Sequence, residues 1–168
     1  AYNEYLPPAE RVDTAAWIAD FPNLVVTRTF SKIFGLAGLR VGYALASAEV
    51  ADWMNRVRQP FNVNNLAIAA AIAALDDHLF VAESYQLNRR GMEQIVAGLK
   101  LLGLEHIPSH GNFVTFKAGD GAAVNQKLLK EGVIVRPIGG YSLPEWLRVT
   151  IGTEPENARF LEALEKAL

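Results

Sequence analysis

One lysine in this chain stands inside a run of hydroxyls and glycines: Thr29-Phe30-Ser31-Lys32-Ile33-Phe34-Gly35-Leu36-Ala37-Gly38-Leu39-Arg40-Val41-Gly42-Tyr43. Two hydroxyls, Thr29 and Ser31, precede the amine, and a guanidinium, Arg40, follows it. A desolvated amine beside another cation gives up its proton more readily and becomes a nucleophile. An arginine fork, two hydroxyls and bare glycine backbone suit an anion, a phosphate above all. Together they describe a reactive amine next to an anion site. A Ser-Lys pair by itself reads more simply as a solvated turn, because lysine is mostly exposed. Two rival chemistries fail on spacing. A Ser-x-x-Lys nucleophile needs serine at position 29, where threonine stands, and no Lys-Thr-Gly follows. The glycines match neither the dinucleotide nor the P-loop pattern.

Two further arginines have the type and placement for anion recognition. Arg148 lies on the polar side of an alternating stretch, 146–151, in which Leu147, Val149 and Ile151 point the other way. Arg136 ends the preceding apolar run, 133–136. Each also reads as half of a surface ion pair. The three histidines, 78, 106 and 110, give no metal site. His106 and His110 are four apart, but Pro108 and Gly111 break the helix that spacing would need, and no carboxylates accompany them.

The elements that must position these residues follow from pattern. Residues 24–26 form an apolar run that reads as a buried strand ahead of the lysine loop, and 39–46 reads as a second strand after it. Asp13 caps a short helix at 14–19, and Ser47 caps another that runs to about Arg58, with Glu49 in its first turn. An alanine-rich helix spans 66–75, with Asn62, Asn64 and Asn65 as capping candidates. A long amphipathic helix covers 78–102, with Met92, Ile95, Val96, Leu99 and Leu102 on one stripe and Gly103 as its stop. Strands at 113–116, 133–136 and 146–151 alternate with a helix at 122–130. Thr153-Glu154-Pro155-Glu156 is a capping box that starts a last helix burying Phe160, Leu161, Leu164 and Leu168.

The Thr-x-Ser-Lys-x-x-Gly-x-x-Gly-x-Arg-x-Gly-Tyr pattern resembles the lysine region of fold-type I, pyridoxal-phosphate-dependent aminotransferases. Pro60-Phe61-Asn62-Val63-Asn64 looks like the histidinol-phosphate branch of that family. The resemblance runs from Ala1 to Leu168. It implies an α/β fold: the C-terminal part of a mostly parallel, three-layer large domain over 1–77, then a smaller α/β domain over 78–168. It implies pyridoxal 5'-phosphate as cofactor, with Lys32 as Schiff-base lysine and general base. Thr29, Ser31 and Arg40 would hold the cofactor phosphate, and the Tyr2 hydroxyl its phenolic oxygen. Arg148 would clamp the substrate carboxylate and Arg136 the substrate phosphate, with Asn112 a weaker candidate at the same face.

The implied reaction is transamination of histidinol phosphate with 2-oxoglutarate in histidine biosynthesis, by a cytoplasmic homodimer using amino-acid and keto-acid substrates. The opening Ala1-Tyr2-Asn3-Glu4-Tyr5 falls in mid-protein in that family, so the expectation is the C-terminal half of a longer enzyme. Threonine-phosphate decarboxylase and aromatic aminotransferase share the lysine loop. A non-catalytic binding or dimerisation module is the alternative from another class.

Composition agrees with a globular α/β chain. Of 168 residues, 51% are apolar and 20% charged, enough to fill a core and too apolar for disorder. A net charge of −2 points to neither nucleic acid nor an anionic membrane. Without cysteine there is no disulfide or thiolate metal site, which suits a reducing compartment. No apolar run reaches the ~20 residues of a membrane-spanning helix.

Overall fold

The computed structural model describes residues 1–168. The chain forms two compact units, Ala1–Ser84 and Tyr85–Leu168. The division falls inside a long helix, α3 (His78–Leu101), whose first residue is where the sequence placed the domain boundary.

The first unit is loosely built. Two strands, β1 (Val26–Thr29) and β2 (Gly42–Leu45), pair antiparallel with Thr29 opposite Gly42. β1 is shifted toward the lysine loop from the expected 24–26 and is only partly buried, and β2 is shorter than the expected 39–46. β2 starts only at Gly42 because Arg40 occupies the left-handed region (φ 53°), which interrupts an extended backbone. The expected helix at 14–19 is a single 3-10 turn, Ala16–Ala19, with the Asp13 carboxylate accepting from the amides of Ala15 and Ala16. Two α-helices follow: α1 (Ala48–Val57), capped by Ser47, and α2 (Asn65–Asp76), capped by Asn64, which accepts from the Ala67 amide at 2.8 Å. The small core holds Phe30, Val41, Ala67 and Ala71.

The second unit is a layered α/β domain. Its four strands run in the order β3 (His106–Ile107), β4 (Phe113–Lys117), β6 (Trp146–Thr150), β5 (Arg136–Pro137). All neighbours are antiparallel. Every strand pair in the chain is therefore antiparallel, and none of these strands carries the parallel order expected of the larger domain. Val114, Phe116, Leu147 and Val149 face one way and are buried against α3, α4 (Gly121–Lys130) and α5 (Glu154–Ala167).

The α3 stripe behaves as read: Ile95 and Leu99 are fully buried, with Met92, Val96 and Leu102 packed beside them. Gly98 lets α5 come close, since a Cβ there would run into the Leu161 side chain. Helices α3 and α4 end on left-handed glycines, Gly103 and Gly132, with 6→1 closing bonds from Leu104 to Leu99 and from Val133 to Leu128. That last bond occupies the Val133 amide, so the strand expected over 133–136 pairs only at Arg136 and Pro137. In α5, Phe160 and Leu164 are buried as expected, whereas Leu168 is half exposed at the chain's end. The two-residue β3 was not read from sequence. No single helix is long and apolar enough to cross a membrane.

Candidate active site

The lysine loop is folded by its own backbone and pinned by apolar anchors. The Phe30 amide donates to the Val41 carbonyl at 3.2 Å, closing the loop at the mouth of β1 and β2. Inside it, the Gly35 amide reaches Lys32 O at 2.9 Å and the Leu36 amide reaches Phe30 O at 3.0 Å. Gly35 makes this tight turn possible because it sits at φ 69°. Phe30, Ile33 and Val41 are buried, and the Phe30 ring packs on Phe34 and Tyr43 at 5.1 and 5.7 Å. Apolar neighbours on either side point inward, so Lys32 between them is turned outward and exposed.

Several of the predicted residues meet there. The Lys32 Nζ stands 5.5 Å from the centre of the Tyr2 ring, within cation–π range. Tyr2 in turn packs on Tyr5 at 6.1 Å. Burial, followed by the charges of Tyr2 and Glu4, raises the Tyr5 phenol above its ordinary pKa, which keeps it neutral. The Thr29 hydroxyl accepts from the Ser31 amide at 3.0 Å, holding the two hydroxyl-bearing residues in one local turn. Arg40 lies on the same loop in its left-handed conformation, one Nη1 donating to Ala37 O at 2.8 Å. Its remaining donors are available to an anion.

This set fits a phosphorylated aldehyde: a primary amine, a phenol beside it, and two hydroxyls and a guanidinium within twelve residues of chain (29 to 40). A separate cavity of about 780 Å³ in the same unit, lined by Phe30, Tyr43, Phe61, Ile68 and Ile72 among others, includes none of the four loop residues.

In the second unit Arg136 and Arg148 are register partners on adjacent strands and so share a sheet face. Like charges placed directly opposite are unfavourable unless something between them compensates. Neither takes part in any of this unit's salt bridges. The Arg148 guanidinium instead lies 4.8 Å over the Phe113 ring, which orients it without neutralising it. Two guanidiniums side by side, in none of these salt bridges, are the residue type and placement that an anion would need. Asn112 is half-buried, and its carbonyl accepts from the Ile151 amide at 2.8 Å.

Phe113 under Arg148 and the contact between Glu4 and Arg28 were not singled out from sequence. For Phe113 the signal was present, since it occupies the polar side of its strand, as Arg148 does of its own. His106, in β3, and His110 join no group able to hold a metal.

Residues 1–164 match the family described as Aminotransferase class I and II. The chain belongs to that family. It is 89% identical, over all of its 168 residues, to Histidinol-phosphate aminotransferase 1 of Dechloromonas aromatica (strain RCB), 46% of which it covers. It is also similar to the crystal structure of histidinol-phosphate aminotransferase from Sinorhizobium meliloti in complex with pyridoxal-5'-phosphate, with a TM-score of 0.90 and 30% identity. That match covers 99% of this chain and 47% of the other. The L-threonine-O-3-phosphate decarboxylase from Porphyromonas gingivalis matches with a TM-score of 0.78 and 28% identity, over 90% of this chain and 49% of that one. The chain thus spans about half the length of the aminotransferases it matches, and it shares their mixed helix-and-sheet fold.

Proposed function

We propose that this chain carries the lysine-bearing part of a pyridoxal-phosphate-dependent aminotransferase that transfers the amino group of histidinol phosphate to 2-oxoglutarate. The observation that carries the reading is the Lys32 amine, projected by its loop beside Tyr2 and flanked by the phosphate-binding residue types. The 89% identity to a histidinol-phosphate aminotransferase supports the substrate. Bound pyridoxal phosphate supplies the electron sink that makes the substrate α-carbon acidic.

In this reading the chain's own residues bind, orient and move one proton. Thr29, Ser31 and Arg40 hold the phosphate, and the Tyr2 hydroxyl orients the ring oxygen. Lys32 first anchors the cofactor. Once released by the amino donor, its Nζ would take the substrate α-proton as general base and would give it, as general acid, to the former aldehyde carbon of the cofactor. Arg148 binds the substrate carboxylate as a bidentate partner, and Arg136 binds the substrate phosphate. The working protein is a cytoplasmic homodimer; the cysteine-free composition supports a reducing compartment.

The test uses the full-length polypeptide carrying this sequence. Incubation with pyridoxal phosphate and borohydride should add a phosphopyridoxyl mass to the Lys32 peptide. Glutamate should form from histidinol phosphate and 2-oxoglutarate, and Lys32→Ala should abolish both. Transamination at parental rate in Lys32→Ala ends the reading. A second reading, decarboxylation of a phosphorylated amino acid, has the match to the threonine-phosphate enzyme in its favour, and Arg136 suits either substrate. Carbon dioxide release without glutamate would select it.

A further inference from the structure

We propose that Arg28 and Glu4 form a brace that positions the Tyr2 ring against Lys32; this rests on the site proposed above. Tyr2 lies immediately before a 3-10 turn, Asn3–Tyr5. Arg28 lies on β1, next to Thr29 and just ahead of the lysine loop. Its Nη1 contacts Glu4 Oε1 at 3.4 Å and its Nη2 donates to Thr14 Oγ1 at 3.2 Å. One guanidinium therefore ties three separated segments: the turn that carries Tyr2, the stretch around Thr14, and the strand that delivers Lys32.

These two contacts reach 24 and 14 residues along the sequence. By contrast, Arg56 with Asp52, and Arg58 with Asn55 and Asn62, pair within four residues along the sequence. Arg11 completes the hold on the turn, donating to the carbonyls of Glu4 at 2.9 Å and Leu6 at 3.1 Å.

The chemistry of the pair suits the task. The planar fork of an arginine meets two acceptors at once in fixed directions, which a lysine ammonium cannot do. The pair is partly withdrawn from water, the two side chains being 17% and 25% exposed, so the attraction is screened less than on an open surface. Buried apolar anchors stand on both segments it joins, Tyr5 in the turn and Ile33 after the lysine, besides the unit's four-residue cluster of Phe30, Val41, Ala67 and Ala71. In this proposal the separation between Tyr2 and Lys32 is set by the polar brace together with the packing of Tyr2 on Tyr5. Arg28 and Glu4 are positioning residues, acting on the amine through Tyr2.

The experiment reads the amine directly, with no cofactor added. The full-length polypeptide is labelled briefly with acetic anhydride, and Lys32 is compared by mass spectrometry with the exposed Lys100 and Lys130. Glu4→Gln and Arg28→Met should each raise Lys32 labelling about two- to fivefold, the fold-change that loss of a cation–π contact allows. The two reference lysines should not change. In a Tyr2→Ala background the same substitutions should add nothing. Reversing the charges, Glu4→Arg with Arg28→Glu, should restore the parental rate.

Unchanged Lys32 labelling in Glu4→Gln overturns the proposal. So does an equal rise in the Tyr2→Ala background, or a rise at every lysine alike. Where Arg28→Met fails to fold, the near-isosteric Glu4→Gln and the charge-reversed pair still decide. Failure of borohydride to fix pyridoxal phosphate on Lys32 would overturn the proposed function while leaving the labelling result standing, so the two claims fail separately.

Discussion

The two units differ in how much of their apolar surface they bury. The second gathers fifteen buried residues into one cluster, from Ile95 on α3 through Phe116 on β4 to Ala167 on α5. The first gathers four, and leaves Val57, Phe61, Leu66, Ile72 and Leu79 more than half exposed. Its helix α2 is apolar on nearly every side yet buries only Ala67 and Ala71. A helix of that composition belongs inside a larger core. The candidate lysine thus sits in the unit whose packing is less complete, and Arg136 and Arg148 sit on a sheet whose opposite face is fully packed. Each unit carries candidate site residues, but only the second backs them with a closed core. The second unit can hold its arginines by itself, and the first holds its lysine loop by local hydrogen bonds and a few anchors.

The largest effect should come from cutting the better-packed core. Phe116 is fully buried and meets Phe160 edge-on at 5.7 Å. Phe116→Ala should destabilise the second unit by about 3–5 kcal/mol, whereas Leu66→Ala, on the exposed side of α2, should change the stability of this chain by about 0.5 kcal/mol or less. Denaturant unfolding followed by hydrogen exchange would measure both. Comparable losses from the two substitutions would erase the contrast. A smaller effect of the same kind is expected at Gly98, where a new side chain would press on Leu161. Gly98→Val should cost about 1–3 kcal/mol by overpacking, read as a lower midpoint in the same assay.

How far the sequence disclosed this molecule also divides along the two units. In the second, amphipathic period and end signals located α3, α4 and α5 closely, because packing against one continuous core enforces those patterns. The misses were short. β3 is two residues long, too short for any alternation to show. The start of β5 was displaced by the cap on Gly132, a backbone bond that no side-chain pattern reveals.

In the first unit the motif around Lys32 was legible because glycines and hydroxyls must stand at fixed positions to make the loop. Its surroundings were less so. Strand lengths there depend on the φ of Arg40 and on neighbours that the apolar runs alone do not specify. Arg28 was invisible as a brace because its partners, Glu4 and Thr14, are distant in sequence, and long-range polar pairs leave no period.

The smallest expected effect concerns the start of α5. Thr153 donates from both its amide and its hydroxyl to one carboxylate oxygen of Glu156, each at 2.7 Å, closing the capping box. Those two bonds favour the ionised carboxylate, amide first, and lower its pKa below the 4.5 of an unperturbed glutamate. A carboxylate whose pKa is depressed by folding adds stability above its unfolded value, and that contribution disappears as the pH falls through the folded value. The second unit should therefore unfold at lower denaturant below pH 4.5 than at pH 6, and Glu156→Gln should remove part of that difference while remaining able to accept a hydrogen bond. Because Glu156 is exposed, the change should be small beside that of Phe116→Ala. An identical pH dependence in the glutamine variant would show that α5 is held by its buried face alone, through Phe160 and Leu164, and that its cap adds nothing to the sturdier of the two units.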